Sequence, residues 1–558
     1  MLVVHPKNSS EIAATPKKYV FLPLVFLLAM LSAWIIIDAV LPLYGFLFPS
    51  AQIVPLSHYV LIPSRVLFPG FKLTPALYST ASNVSLPTLS LSWKETALLL
   101  SAFLFLFFCY ILALRYLPQK ISLRYVVGSA SLLGIICVLI PVVTSPDLFS
   151  YIMYARMWTL YHLNPLATAP FVVAKDPVYK FLYWKDQPSV YGPTWIALSG
   201  LLQILANVTG TRNTIPVMVL ALRLLGLLSH LWSILLVWSL GGHLQRLNGA
   251  YNPRKRMLAT LAFAWNPLLL FEASVNAHND TIMLLFLLLS LWFLVWDTSL
   301  LSYAGVALMF ALATCLKFNV ALLLPGLLIF LWLQLRRWQK VSVVLLVYLV
   351  TVVALYAPFW DHGAILNVLS LNPGTYRNIN TIPDFLGQFF NAVMHLLGYP
   401  LAPAIGSQAE RVTHTFSVGL FVLAYGVLCW QALFTRHRLH SSLQLVRWMA
   451  TTWFFYCLLG APWFWPWYAV TFFGLFALVE TVSMEQTSSW NFVINAPVVR
   501  ILAFSLLSSY CLVAWGVYNS FVPILPTFRW AYFRGLWIWL PIFLTLFPHS
   551  KQSEKSEA

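Results

Sequence analysis

Apolar runs of about 20 residues recur along the whole chain, and the charged residues collect in the short segments between them. Runs of that length cross the hydrocarbon core of a bilayer as helices, in which every backbone group finds a partner within its own segment. The pattern predicts spans over about 20–42, 94–115, 125–144, 215–241, 257–275, 280–297, 301–316, 318–335, 341–357, 415–434, 448–463, 467–483, 498–518 and 533–549, about 14 in all. The expected fold class is all-α, a polytopic integral membrane protein with amphipathic helices on its outer face. The runs 301–316 and 318–335 are joined so tightly that they read as one broken helix pair. A further run, 192–209, is short and carries Gln203 and Asn207, so it reads as an outer-surface or re-entrant helix.

The charges between the runs set the orientation. Arg115, Lys120 and Arg124 mark one cytoplasmic loop, and Arg246, Arg254, Lys255 and Arg256 mark another, by the excess of basic residues on the inner side. If 192–209 crossed, the loop 243–256 would fall outside, which favours a run that does not cross. The expected organisation is a cytoplasmic tail 1–18, one transmembrane catalytic domain 19–549 and a cytoplasmic tail 550–558. Its outer loops are 145–191, 276–280 and 358–414. The first run is read as a retained span because no small-residue cleavage site ends it.

Composition narrows the function. The 558 residues are 60% hydrophobic and 9% charged, where a soluble protein carries about 25% charged residues. The net charge of +17 is read by membrane side, and no basic helix or module for nucleic acid is present. The six cysteines lie in or beside apolar runs without a CxxC pair, so they read as small buried hydrophobes. No metal site and no cofactor are expected. Neither GxGxxG nor a Walker A sequence occurs, which argues against a nucleotide-driven pump.

The candidate chemistry gathers on the outer side. Asp147 ends the third run and shares a helix face with Tyr151, four residues on. It is either a helix cap beside Ser145 or a working carboxylate. A second polar island is Asn276-Ala277-His278-Asn279-Asp280, with Glu272 six residues before His278. His278 and Asp280, two apart, either orient each other or a sugar hydroxyl, or Asn279 or Asp280 only caps a helix-to-helix turn. One His and one Asp at this spacing fall short of a metal ligand set. Outer cations, among them Arg156, Lys317 and Arg377, either snorkel to the interface or hold an anion such as a lipid phosphate. Trp463 to Tyr468 either stack on a substrate or form an interfacial aromatic belt.

Asp147-x-x-x-Tyr151, Asn164-Pro165, Tyr191-Gly192-Pro193, Asn266-Pro267, His278-Asn279-Asp280, Lys317 with Pro325, and Pro466-Trp467-Tyr468 follow one another in an order that resembles the GT-C glycosyltransferases. The group resembled is the bacterial polyprenyl-phosphate-mannose-dependent α-1,6-mannosyltransferases, over about residues 125–470. The resemblance implies a GT-C-like helical membrane fold with its active site on the extracytoplasmic face of the cell membrane. It implies Asp147 as catalytic base. Tyr151, Arg156, Asn164, Tyr191, His278, Asn279, Asp280, Lys317, Arg377, Trp467 and Tyr468 become candidates for substrate binding. The family often has Gly before the Asn-Pro and Tyr after it, where this chain has His162 and Leu166, and Ala155 replaces a Gly near Arg156. These departures bear on the sugar more than on the reaction. The expected activity is inverting transfer of a mannose-like sugar from a polyprenyl phosphate to an extracytoplasmic glycan or glycolipid acceptor. The rival is a membrane transporter or lipid-linked sugar flippase, which predicts acids deep within spans and matched broken helices.

Overall fold

The computed structural model describes residues 21–40, 93–139, 145, 147–208, 215–249, 251–335, 338–372, 377–400, 402, 407–434, 438–482, 495–516 and 529–546. The two tails, the loop between the first two runs and residues 140–144 of the third run lie outside the described residues. Among the described residues the chain is helical throughout, with a single isolated bridge pairing Ile379 and Trp463.

Four helices are long and apolar enough to cross a membrane: Thr96–Tyr116, Val217–Leu247, Trp338–Phe359 and Gln408–Phe434. Pro253–Ala264 and Pro267–Val275, bent by 43°, make a fifth if they count as one span. The cause of the bend is local. Pro267 lacks an N–H and Asn266 is extended, so the helix restarts there with Asn266 Oδ1 accepting from Leu268 N at 3.0 Å. The other apolar helices, among them Leu123–Leu139, Asp280–Trp296, Leu300–Thr314 and Ala496–Leu512, have 17 residues or fewer. The chain is a membrane protein on these helices, and Trp338–Phe359 and Gln408–Phe434 show how it meets lipid. Only 11% and 22% of their spanning windows are buried, so Leu346, Val350, Val353, Phe416 and Leu423 turn outward. An apolar surface of that extent suits hydrocarbon rather than water.

The centre of the bundle is the helix Ile215–Leu247. Pro253–Ala264, Asp280–Trp296 and Val470–Thr481 pack on it. Close approach is possible at Gly226, where a Cβ would stand 2.0 Å from the Ala273 carbonyl oxygen. The two ends of the bundle differ in chemistry. At one end Gln245 Nε2 donates to Thr481 O at 2.7 Å and to Asn252 O at 2.8 Å, beside the basic segment in which Arg256 lies over the Trp238 ring. At the other end lie Tyr191, the 276–280 loop, Lys317 and the Trp463–Tyr468 segment.

Two shorter helices build that second end. Asp147–Thr159 and Pro193–Val208, of 13 and 16 residues, pack against each other and are below spanning length. Gln203 is fully buried in this packing and donates from Nε2 to Asn207 Oδ1 at 2.8 Å.

Candidate active site

Asp147 opens its helix, and the capping hydrogen bond there belongs to Ser145, whose Oγ accepts from Asp147 N at 3.3 Å. The Asp147 carboxylate turns away from its own helix. Its Oδ2 accepts from the Tyr191 hydroxyl at 2.8 Å. Tyr191 is held in place by its loop. Ser189 Oγ accepts from Tyr191 N at 3.1 Å, and the next two free N–H groups, of Gly192 and Thr194, donate to Leu316 O and Cys315 O, both at 3.1 Å. Gly192 is required at this contact, since a Cβ would lie 2.2 Å from Cys315 O. Tyr151, one turn beyond Asp147, meets the Tyr191 ring edge-on at 4.9 Å and the Trp195 ring at 4.8 Å. Burial, and after it the Asp147 charge, holds the Tyr191 phenol well above its ordinary pKa, so it stays a donor.

The second polar island rests on a π-helical turn, Phe271–Val275, followed by Ala277 at a φ of +54°. Such turns recur where a helix must re-aim a side chain. Here the turn gathers three donors around the fully buried Glu272. His278 Nδ1 lies 2.6 Å from Glu272 Oε2, Asn276 Nδ2 donates to the same oxygen at 3.0 Å, and the Tyr510 hydroxyl donates to Oε1 at 2.8 Å. Trp467 covers the His278 ring in a parallel stack at 3.8 Å. Asp280 Oδ2 accepts from Lys317 Nζ at 2.7 Å, and Lys317 also lies over the Tyr468 ring at 4.6 Å. Lys317 reaches Asp280 because the helix pair breaks where expected. Leu300–Thr314 ends, Lys317 is extended, and a 3-10 turn resumes at Phe318.

The two islands meet. The Tyr151 phenol is raised by burial first and then by both the Asp147 and Asp280 charges, with Tyr191 and the Asn279 backbone beside its hydroxyl. Asp147, Tyr151, Tyr191, His278, Asn279, Asp280, Lys317, Trp467 and Tyr468 therefore form one connected cluster. Among the described residues no group of three or more His, Cys, Asp or Glu side chains could hold a metal ion.

The comparisons with known proteins bear on this cluster. Residues 72–334 match the model of the MptA_B family, described as the N-terminal domain of an alpha-(1->6)-mannopyranosyltransferase. Over these residues the chain is similar to that mannosyltransferase family. No curated protein and no solved structure matches the chain. The mannosyltransferase match contains Asp147, Tyr191, the 276–280 loop and Lys317, while Trp467, Tyr468 and Tyr510 reach the same cluster from beyond it. The resemblance read from the motifs is thus to the family whose model matches, and the activity named for that family is mannosyl transfer.

The remaining candidates are engaged elsewhere. Arg156 donates from Nε to Asp176 Oδ2 at 2.9 Å, and the Tyr161 hydroxyl donates to the same oxygen at 2.7 Å, so Arg156 braces its own loop. Asn164 Nδ2 donates to Phe359 O at 2.8 Å and its Oδ1 accepts from Leu166 N at 3.1 Å, which ties the loop to the Ala357–Phe359 turn. Arg377 lies over the Trp463 ring at 5.2 Å, with Trp184 on the same indole at 5.5 Å. Glu272 and Tyr510 were not among the site residues expected from sequence. The signal for Glu272 was its closeness to His278, and Tyr510 carried none.

Proposed function

We propose that the chain is an inverting glycosyltransferase that moves a mannose-like sugar from a polyprenyl phosphate to an extracytoplasmic glycan or glycolipid. The observation that carries this reading is a buried carboxylate, Asp147, held by Tyr191 at the same end of the bundle as the Lys317–Asp280 pair. The match to a mannosyltransferase family favours transfer over the transporter or flippase reading.

In this mechanism the acceptor hydroxyl gives its proton to Asp147 as its oxygen attacks the anomeric carbon from the face opposite the phosphate. The bond between that carbon and the phosphate oxygen breaks, and the electron pair leaves with the polyprenyl phosphate. A positioned base of this kind contributes about 10²–10⁴-fold. Lys317, 11% exposed at its side chain, is the cation of the cluster and offsets the charge that develops on the leaving phosphate. The aromatic rings of Trp467 and Tyr468 bound the sugar, and surrounding lipid takes the polyprenyl tail.

The same reading places about 14 spans in the cell membrane, with the Asp147 end of the bundle facing outward. Its support is the separation of chemistry along the bundle. The basic segment at Arg254 to Arg256 lies with Gln245 and Thr481 at the end opposite the cluster. An outward site has no access to nucleotide sugars, which are made in the cytoplasm. Purified protein in nanodiscs should transfer mannose from polyprenyl phosphate mannose and give no transfer from the matching nucleotide sugar. Transfer from the nucleotide sugar without any lipid carrier refutes the reading.

A further inference from the structure

The loop His278-Asn279-Asp280 holds hydrogen-bonding capacity that the protein itself leaves unused. All three side chains are fully buried. His278 Nε2, both polar atoms of the Asn279 amide and Asp280 Oδ1 make no hydrogen bond. Each such atom costs about 1–3 kcal/mol when nothing replaces the water it lost, so a run of three such residues points to a ligand that completes them.

The balance of donors and acceptors identifies the chemistry. A carboxylate only accepts, so Glu272 Oε2 takes the hydrogen of His278 Nδ1, and in the neutral imidazole Nε2 is then an acceptor. Asn279 adds one acceptor oxygen and one amino group, which carries two N–H donors, and Asp280 Oδ1 adds another acceptor. Three acceptor atoms against a single amino group suit hydroxyl groups, which bring protons and also accept. They do not suit a phosphate, whose oxygens only accept. Lys317, the cation beside them, is joined to Asp280 at 2.7 Å.

We infer that His278, Asn279 and Asp280 form a subsite for the hydroxyls of the transferred sugar ring, separate from the phosphate contacts, and that Glu272 is its positioning residue. This deepens the proposed function and rests on it. Glu272 acts through His278. With Asn276 and Tyr510 also bound to it, it holds the imidazole in one tautomer, while the Trp467 stack fixes the plane of the ring. The Nε2 lone pair then meets one particular hydroxyl.

The test uses full-length protein in nanodiscs with polyprenyl phosphate mannose and its monodeoxy analogues, each lacking one ring hydroxyl. The wild type should lose about 10-fold or more in kcat/KM with one analogue, the scale set by leaving a buried acceptor unpaired. His278→Asn keeps a donor for Glu272 but has nothing at the Nε2 position. It should lose activity with the full donor and show little further loss with that same analogue. Glu272→Gln can still accept from His278 while losing its charge, and it should relax discrimination at the same hydroxyl rather than lower all donors alike. Thermal stability of each purified variant separates these effects from misfolding. Losses that multiply, so that every variant keeps the full wild-type penalty for every analogue, overturn the subsite. A wild type inactive with the full donor overturns the proposed function instead, and the subsite with it.

Discussion

The Tyr191 hydroxyl donates to Asp147 Oδ2 at 2.8 Å across 44 residues of sequence, and both side chains are buried. Tyr191 thereby fixes one carboxylate oxygen and leaves the other for a substrate proton. Asp147→Asn keeps the shape and still accepts from Tyr191, but it is no longer a base. We expect transfer to fall by about 10²-fold or more with thermal stability near wild type. Tyr191→Phe keeps the base and frees its orientation, so a smaller loss is expected, of about 10-fold, read as kcat with saturating donor. Equal loss of stability in Asp147→Asn and full retention of activity would return Asp147 to a purely structural role.

Lys317 and Asp280 are a buried pair, with side chains 11% and 0% exposed. Removing one partner strands the other charge. Lys317→Met is expected to destabilise the protein by about 3–5 kcal/mol. The double variant Lys317→Met with Asp280→Asn should recover much of that stability, because no charge is left unpaired. It should not recover transfer, because the cation is still missing. Thermal unfolding and a transfer assay on the same three preparations check both halves.

The all-helical class was legible because a membrane imposes length and apolarity on its helices, while among the described residues four helices, or five with the bent pair, reach spanning length against the about 14 expected. The broken pair around Lys317 could be read from the shortness of the join. Helix ends were less legible, because local caps set them. The run expected over 125–144 forms a helix from Leu123 to Leu139, and its last residues lie outside the described ones. Within the site, sequence brought out Asp147 and His278 but left open whether Asp147 was a cap. Ser145 takes that role, and a choice between neighbouring oxygens depends on side-chain rotamers that sequence does not encode. The Glu272–His278 contact was hidden because residues six apart do not share a face of a regular α-helix. The π-helical turn and Ala277 bring them together. Arg156 read either as a snorkelling cation or as an anion ligand, and the structure pairs it with Asp176 in the same loop.

His162 gives that lesson a quantitative form. Its φ is +53°, in the left-handed region that glycine adopts without steric cost. The resemblance read from the motifs expects Gly before the Asn-Pro of this loop, and the backbone at His162 adopts the conformation that such a Gly supports. His162→Gly should therefore leave the loop in place and raise stability by up to about 1 kcal/mol, offset in part by the extra freedom of glycine in the unfolded chain. His162→Val, β-branched, should lower it. Thermal shifts of the two variants in opposite directions are the expected result.

Asp384 ties stability to pH. It lies in the first turn of Ile382–Leu396, where Thr381 Oγ1 caps the helix and Asp384 Oδ2 accepts from Asn380 N at 2.9 Å. Burial pushes its carboxyl up from 3.8 to about 7, Glu410 adds to the rise, and the Asn380 N–H and Arg534 oppose it. A carboxyl whose folded value is raised binds its proton more tightly in the folded state. Its contribution is fully present below about pH 4 and is lost as pH rises through about 7. At about 1.4 kcal/mol per unit the loss is up to about 4 kcal/mol. Asp384→Asn retains an oxygen for Asn380 N and never carries the charge. It should be more stable than wild type at about pH 8 and similar at about pH 4, in unfolding scans run at one fixed rate.

The side on which the cluster opens decides what donor it can use, and exposed residues at each end of the bundle can report it. Val190 is 42% exposed and immediately precedes Tyr191, whereas Tyr251 is 65% exposed in the basic segment beside Gln245. Asn279 itself is fully buried, so a cysteine there reports packing rather than side. Five of the six native cysteines are buried and Cys429 is partly so, which makes a background with all six replaced by Ala a reasonable starting protein. In that background Val190→Cys should react with an impermeant thiol reagent added to whole cells, and Tyr251→Cys should react only after the membrane is opened. The basic residues near Tyr251 motivate the assignment, since a cytoplasmic loop retains them. The opposite labelling pattern would put Asp147 and the 276–280 loop in the cytoplasm, give the site access to nucleotide sugars and remove the argument for a lipid-linked donor.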